Sequence, residues 1–351
     1  MSLYFNLTVK EVIKETANAA TLVFDGSVQN ISYKPGQFLT LILKIQGESI
    51  RRSYSLCTYA KVDNDPAVTV KRVQNGIASN YILDNIKKGD VIEVMEAMGT
   101  FTIDTDPYKQ RNVVLIGAGS GITPLMSIAK AVLHNEPLSN VFLIYGNRNE
   151  QSVIFATQLN NLVLEHKERF NLVHVFSQPI EDVAHLGRLN RSLMLKILES
   201  FADLKLSQAE YYVCGPKGMM DEALEAFKLL NIKEEQIHKE SFFSSTDKPA
   251  SGTIVPEEQD GPKEVTIIYQ GSEYKVIVPV EKTILEAALD QDIDLPFSCQ
   301  SGMCTACMGK CTSGKVHLND PDGLSQKEID QGFVLTCVGH PVSGNVVIEI
   351  D

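Results

Sequence analysis

The stretch Cys299-Gln-Ser-Gly-Met-Cys304-Thr-Ala-Cys307 packs three cysteines into one short loop, and Cys337 answers them later in the chain. The spacing is C-x4-C-x2-C, then a long interval, then one more Cys. A [2Fe–2S] cluster is held by this pattern, because four thiolates must reach two irons from one tight loop and one returning segment. Zinc also takes four Cys, but its structural sites usually pair two short knuckles. Here one end is a crowded triple and the other a lone residue, which favours the cluster. The neighbouring residues Ser298, Ser301, Gly302, Thr305 and Ala306 are small, so backbone N–H groups can approach the sulfurs. A Rieske centre needs two His ligands. His340 follows Cys337 by three positions, but there is no second Cys–His pair. Such a cluster takes one electron at a time, so the rest of the chain must explain where the electron comes from and where it goes.

Working outward, 351 residues suffice for two or three domains, and 44% hydrophobic with 22% charged residues is an ordinary globular composition. The net charge of −12 argues against nucleic acid or an acidic membrane surface as partner. Seven cysteines, four of them claimed by the cluster, fit a reducing compartment and not a disulfide framework. A cytoplasmic protein is expected. The N-terminus lacks a basic segment with an apolar core, and no apolar run approaches the roughly 18 residues of a membrane span.

Before the cluster loop the text changes rhythm twice. From Leu3 to about Asp104, short alternating runs separated by turn signals (Asp25-Gly, Pro35-Gly, Lys88-Gly-Asp) predict an antiparallel β-barrel with one short helix near Ser79–Ile86. From about 109 to 240 strands alternate with helices, among them a helix over Ser152–Lys167, which predicts a parallel α/β nucleotide-binding domain. Residues 244–263 are polar, rich in Pro, Gly and Ser, and read as a flexible linker. The last piece opens with a hairpin, continues through a helix with capping-box spacing at Thr283–Glu286, and closes on a strand from Asn345. Strand alternation after the loop predicts that Cys311 is buried.

Several motifs precede the cluster. Arg52-Ser53-Tyr54-Ser55 lies on a barrel strand, with Arg52 and Tyr54 on one face. An Arg can hold a pyrophosphate, a Tyr can pack on a flat ring, and a Ser hydroxyl can bond a ring nitrogen. Gly76-Ile77-Ala78-Ser79 opens a helix whose N–H groups suit a phosphate. Gly117-Ala-Gly119-Ser-Gly121-Ile-Thr123 follows a strand and precedes a helix, so its backbone can approach a diphosphate, although it is not G-x-G-x-x-G. Cys214-Gly215-Pro216 ends a parallel strand, where ligands of open α/β sheets sit. A buried Cys is by default only a small hydrophobe.

In this order the motifs resemble the ferredoxin–NADP reductase superfamily fused to a C-terminal plant-type ferredoxin, over essentially the whole chain. The resemblance is strongest to reductase components of multicomponent oxygenases, including that of phenylacetyl-CoA epoxidase. It implies a multidomain fold: a flavin-binding antiparallel β-barrel over 1–106, an NAD(P)-binding α/β domain over 107–243, the linker over 244–263, and a β-grasp ferredoxin domain over 264–351. It implies FAD rather than FMN, held by Arg52, Ser53, Tyr54, Ser55 and residues 76–79. It implies a nicotinamide cofactor held by Gly117, Gly119, Gly121, Thr123 and Cys214–Pro216, with Ser55, Cys214 and Glu240 at the reacting centre. Phe242 matches the family's aromatic near the flavin, and Cys299, Cys304, Cys307 and Cys337 are the cluster ligands. NADPH-using relatives often carry Ser-Arg where this chain has Ser177-Gln178. Arg148 and Arg188 are the substitutes that keep NADPH ahead of NADH in this reading.

The implied activity is an NAD(P)H-dependent oxidoreductase. A hydride passes to the flavin, and single electrons go on to the cluster and then to a protein acceptor, an oxygenase component. The rivals are a stand-alone flavin oxidoreductase acting on quinones, ferric chelates or haemoproteins, and a zinc-stabilised binding module without electron transfer. Shortening the 244–263 segment is expected to slow delivery to the acceptor while flavin reduction in stopped flow is unchanged. Equal slowing of both steps would rule out a mobile carrier.

Overall fold

The computed structural model describes residues 4–27, 31–242 and 261–350, so most of the expected linker lies outside the described residues. These residues divide into two compact units, one carrying the first two sheets apart from Arg51–Ser53 and one carrying the third sheet together with those three residues.

The first sheet is built from β1 (Tyr4–Thr16), β2 (Ala19–Phe24), β3 (Phe38–Ile45), β4 (Glu48–Ser55), β5 (Ala67–Lys71) and β6 (Val91–Met95), with helix α1 (Ile77–Asn85) between the last two. The strands neighbour one another in the order β4-β3-β6-β1-β2-β5. Leu56, just past β4, bridges to Val68 on β5, which joins the two edge strands and closes the expected barrel. Leu7, Leu22, Leu41, Val68 and Val94 fill it, and α1 adds Ala78 and Ile82.

The second sheet runs β7 (Asn112–Ala118), α2 (Ile122–Asn135), β8 (Asn140–Asn147), α3 (Ala156–Glu165), β9 (Phe170–Phe176), α4 (Arg191–Ser200), β10 (Ala209–Gly215), α5 (Lys217–Leu229) and β11 (Ile237–Ser241). All its pairings are parallel, in the order β11-β10-β7-β8-β9. Strands buried on both faces read as continuous apolar runs, as Val113–Ile116 and Val141–Ile144 do. Val113, Leu115, Val141 and Leu143 pack with α2, whereas Val114, Ile116, Phe142 and Ile144 pack with α4 and α5. The order reverses between β7 and β10, which is where such sheets open a ligand crevice. Barrel residues Cys57, Phe101 and Ile103 share the α2-side core, and Ser127 on α2 donates to the Thr58 carbonyl at 2.6 Å.

Helix α3 is shorter than the expected Ser152–Lys167. Glu150–Ser152 form a separate 3-10 turn, and Phe155 stands in the left-handed region at φ 63°, which breaks the helical register until Ala156. β11 carries little sequence signal, because its five residues are mostly polar and only pairing with β10 defines them.

The third sheet holds β12 (Lys263–Tyr269), β13 (Ser272–Val278), β14 (Met308–Ser313), β16 (Phe333–Leu335) and β18 (Val346–Ile350), in the order β13-β12-β18-β14-β16. β12 pairs antiparallel with β13 and parallel with β18, and α6 (Ile284–Leu289) packs against β13, as in a β-grasp. β15 (Val316–Leu318) and β17 (Gly339–Pro341) form a separate ribbon, and α7 (Gln326–Asp330) precedes β16. Cys311 corrects the expectation of burial. It is half-exposed on β14, where a register shift between Cys311 and Ser313 interrupts the alternation. Among the described residues no helix is long and apolar enough to cross a membrane.

At the reversal point, a Cβ built on Gly121 would stand 2.0 Å from the Cys214 carbonyl oxygen. Gly121→Ala is therefore expected to destabilise this unit by about 1–3 kcal/mol through overpacking. A lower urea midpoint with an unchanged slope would show it.

Candidate active site

The carboxyl ends of β10 and β11 bring three of the sequence-named residues together. Cys214 and Glu240 are direct partners in the parallel register. Ser55, at the end of β4, donates its hydroxyl to Glu240 Oε2 at 3.3 Å. Ser55 and Cys214 are buried, at 2% and 0% exposure. Part of Glu240 reaches solvent, but its carboxyl sits amid packed atoms, and that burial pushes its pKa up to about 8 against the opposing Ser55 hydrogen bond. Burial, and then the neighbouring Glu240 charge, push the Cys214 thiol well above its ordinary value. At neutral pH this is a protonated carboxyl beside an uncharged thiol, a pair able to hold a proton next to an uncharged ring.

The glycine turn lies one strand away, between β7 and α2. Residues 119–121 form a single 3-10 turn, and Tyr145 on β8 holds it by donating to the Gly119 carbonyl at 2.9 Å. The Thr123 hydroxyl is committed to the Ser120 carbonyl at 3.0 Å, so Thr123 shapes the turn from within. Gly215 and Pro216 lead from β10 into α5, with Pro216 as its N-cap.

Sequence reading missed Lys71, the last residue of β5. Its Nζ stands 2.8 Å from where a Cβ on Gly119 would be. Much of its stem is exposed, but its ammonium sits among protein atoms, and burial followed by the Arg148 charge lowers its pKa. Two cations at a glycine turn make a ready anion site. The only sequence signal was a Lys at the end of a barrel strand, which is ordinarily a solvated residue.

On β4, Arg52 and Tyr54 are part-exposed and share a face by alternation. The α1 N-terminus opens on Gly76 with no side-chain cap, and the Ser79 hydroxyl accepts from Val73 N at 3.1 Å. The first-turn N–H groups of Ile77, Ala78 and Ser79 therefore suit a pyrophosphate. Ser177 and Arg148 lie at the ends of β9 and β8, away from the Ser55–Glu240 pair in strand order. Phe242, just past β11, is 38% exposed.

In the third-sheet unit the four cysteines of the motif meet. The neighbouring Cys304 and Cys337 thiols, together with the N–H groups of Ser301 at 3.5 Å and Cys304 at 3.4 Å that donate to Cys299 Sγ, hold the Cys299 pKa well below the ordinary range. The Cys337 thiol likewise lowers Cys307. Among the described residues no group of three or more His, Cys, Asp or Glu side chains converges on one ion-sized point. Gly302 sits at φ 73°, and a Cβ there would be 2.6 Å from the Asp320 carbonyl oxygen, so the loop needs glycine at this point. The hydroxyls of Ser298 and Ser301 are buried without a partner. Four thiols, inward N–H groups and two spare hydroxyl donors fit a [2Fe–2S] cluster, whose sulfides accept hydrogen bonds.

Comparison with known proteins agrees with this geometry. Residues 4–103 match the oxidoreductase FAD-binding domain, 115–225 the oxidoreductase NAD-binding domain, and 267–342 the 2Fe-2S iron-sulfur cluster binding domain. A component of 1,2-phenylacetyl-CoA epoxidase from Escherichia coli K12 is 34% identical over 100% of this chain and 99% of its own length. The ferredoxin reductase component of 3-ketosteroid-9-alpha-monooxygenase from Mycolicibacterium smegmatis is 35% identical, over 98% of this chain and 96% of its own. Phthalate dioxygenase reductase has a similar fold, with a TM-score of 0.61 and 22% identity over 99% of this chain and 98% of that one. FAD, NAD(P)H and a [2Fe–2S] cluster are thus the cofactors of this NAD(P)H-dependent oxidoreductase. The chain belongs to the ferredoxin–NADP reductase superfamily, in the family of reductase components that carry FAD-binding, NAD-binding and [2Fe–2S] domains in one polypeptide.

Proposed function

We propose that this reductase supplies electrons from a nicotinamide dinucleotide to an oxygenase component of the phenylacetyl-CoA epoxidase kind. The observation that carries the proposal is the Ser55–Glu240 hydrogen bond beside Cys214, where the barrel meets the parallel sheet. When bound, FAD would take the two electrons of one hydride and give them up singly, and the [2Fe–2S] cluster would carry them onward.

The chain's own residues position and insulate these groups. Arg52, Ser53, Tyr54 and Ser55 hold the flavin, with residues 76–79 on its pyrophosphate. Gly117, Gly119, Gly121 and Thr123 shape the dinucleotide turn, with Lys71 and Arg148 answering its negative charge. Gly215 and Pro216 continue the floor of the crevice, and Ser177 and Phe242 are peripheral contacts. Cys214 keeps the reacting centre apolar, and Glu240 holds a proton for delivery through Ser55. Cys299, Cys304, Cys307 and Cys337 ligate the cluster. The domain limits follow as 1–106, 107–243, 244–263 and 264–351. All seven cysteines are unpaired thiols, which supports a reducing, cytoplasmic site.

If the cluster is the outlet, Cys304→Ser will lower cytochrome c reduction by at least about tenfold and leave reduction of ferricyanide, a small acceptor served by the flavin, intact. Undiminished cytochrome c turnover would instead support the stand-alone flavin oxidoreductase. Glu240 predicts a second outcome. A carboxyl raised to about 8 is protonated below that pH and loses its proton above it, so flavin reduction by NAD(P)H should decline as pH rises through about 8. Glu240→Gln, which cannot titrate, should abolish that limb. The same shift works on stability: its contribution is complete below the ordinary carboxylate pKa and is lost as pH rises towards about 8. An unchanged pH profile in Glu240→Gln would remove Glu240 from proton handling.

A further inference from the structure

From Ser177 to Glu181, just after β9, every backbone N–H is already taken. Ser177 N donates to the Asn147 carbonyl at 3.1 Å and Gln178 N to the Arg148 carbonyl at 2.7 Å. Pro179 has no N–H. Ile180 N and Glu181 N donate to the two carboxylate oxygens of Glu150, at 3.0 and 3.4 Å. Its own backbone N–H, and then those of Ile180 and Glu181, hold the Glu150 pKa below its ordinary value, so the group is a carboxylate at neutral pH.

Strand order says which part of a dinucleotide meets this carboxylate. The reacting end belongs with Cys214 and Glu240 on β10 and β11, and the diphosphate with the glycine turn after β7. The remaining direction leads over the ends of β8 and β9, so the adenosine half ends there. From β10 to β9 is three strand spacings, about 14 Å. Glu150 begins the turn after β8 and is tied to the segment after β9, which places it at the adenosine ribose. Arg148, one of the two cations that sequence reading offered for a 2′-phosphate, lies close enough to Lys71 to lower its pKa, so it belongs to the diphosphate position instead.

We infer that Glu150 makes this reductase select NADH over NADPH. A carboxylate with free lone pairs accepts from the ribose 2′-hydroxyl. The same carboxylate repels a 2′-phosphate and already occupies the amides that would bind it. This inference rests on the dinucleotide assignment above and runs against the preference for NADPH that Arg148 had supported.

The test is calorimetric titration of the holoprotein with NAD+, NADP+, 5′-ADP and 2′,5′-ADP, which reads binding and not turnover. The wild type should bind NAD+ and 5′-ADP at least about tenfold more tightly than their 2′-phosphorylated counterparts. Glu150→Gln keeps an acceptor for the Ile180 and Glu181 amides but removes the charge. It should tighten 2′,5′-ADP binding severalfold and leave 5′-ADP nearly unchanged. Wild-type preference for the phosphorylated ligands, or an unaltered ratio in Glu150→Gln, would overturn the inference. Failure of the wild type to bind either NAD+ or NADP+ would overturn the dinucleotide assignment itself, and this inference with it.

Discussion

The active unit depends on one close approach, that of Gly121 to the Cys214 carbonyl across the β7–β10 boundary. Any side chain at Gly121 would push the glycine turn off the end of β10. Because the strands are parallel, all their carboxyl ends lie at one edge of the sheet, and that single contact brings the turn beside Cys214. The β10–β11 register then carries Glu240 to Cys214, and Ser55 reaches Glu240 from the barrel. The glycine turn and the Ser55–Cys214–Glu240 cluster thus meet at one edge of the sheet through backbone packing.

Charge is arranged to match. At the ends of β10 and β11 burial keeps Glu240 and Cys214 uncharged, while Lys71 and Arg148 concentrate positive charge one strand away. At the opposite, amino-terminal end of β7, Glu136 is fully buried and is held by Arg111 at 2.6 Å and Ser139 at 2.8 Å. That network is equally buried but fully paired, and it lies away from the carboxyl ends where ligands bind. It pins α2 and β7 in place, a structural role. A buried ionisable group indicates function only where a partner is missing or a ligand position lies open.

The cluster loop follows a different logic. Its shape comes from Gly302 and from N–H groups turned toward Cys299, and the Thr336 N–H, just after β16, donates to the Cys307 carbonyl at 3.1 Å. Ser298 and Ser301 keep hydroxyls that the protein itself does not satisfy. Unsatisfied buried donors are costly unless a bound group takes them up.

Much of this was legible in the sequence. The cysteine spacing, the period-2 runs of the barrel, the β/α rhythm and the glycine turn all act locally, so composition and spacing reveal them. Ser55, Cys214 and Glu240 could be named but not joined, because they lie far apart in the chain and only the register of β10 with β11 makes them neighbours. Lys71 had no signal, since a lone Lys at a strand end becomes distinctive only beside Gly119. The late start of α3 depended on the left-handed Phe155, and the exposure of Cys311 on a register shift in β14. Residue types and their spacing therefore determined the fold class and the cofactors. Tertiary packing alone decided which distant side chains share a crevice, which of them lose their charge there, and which amides Glu150 had already occupied.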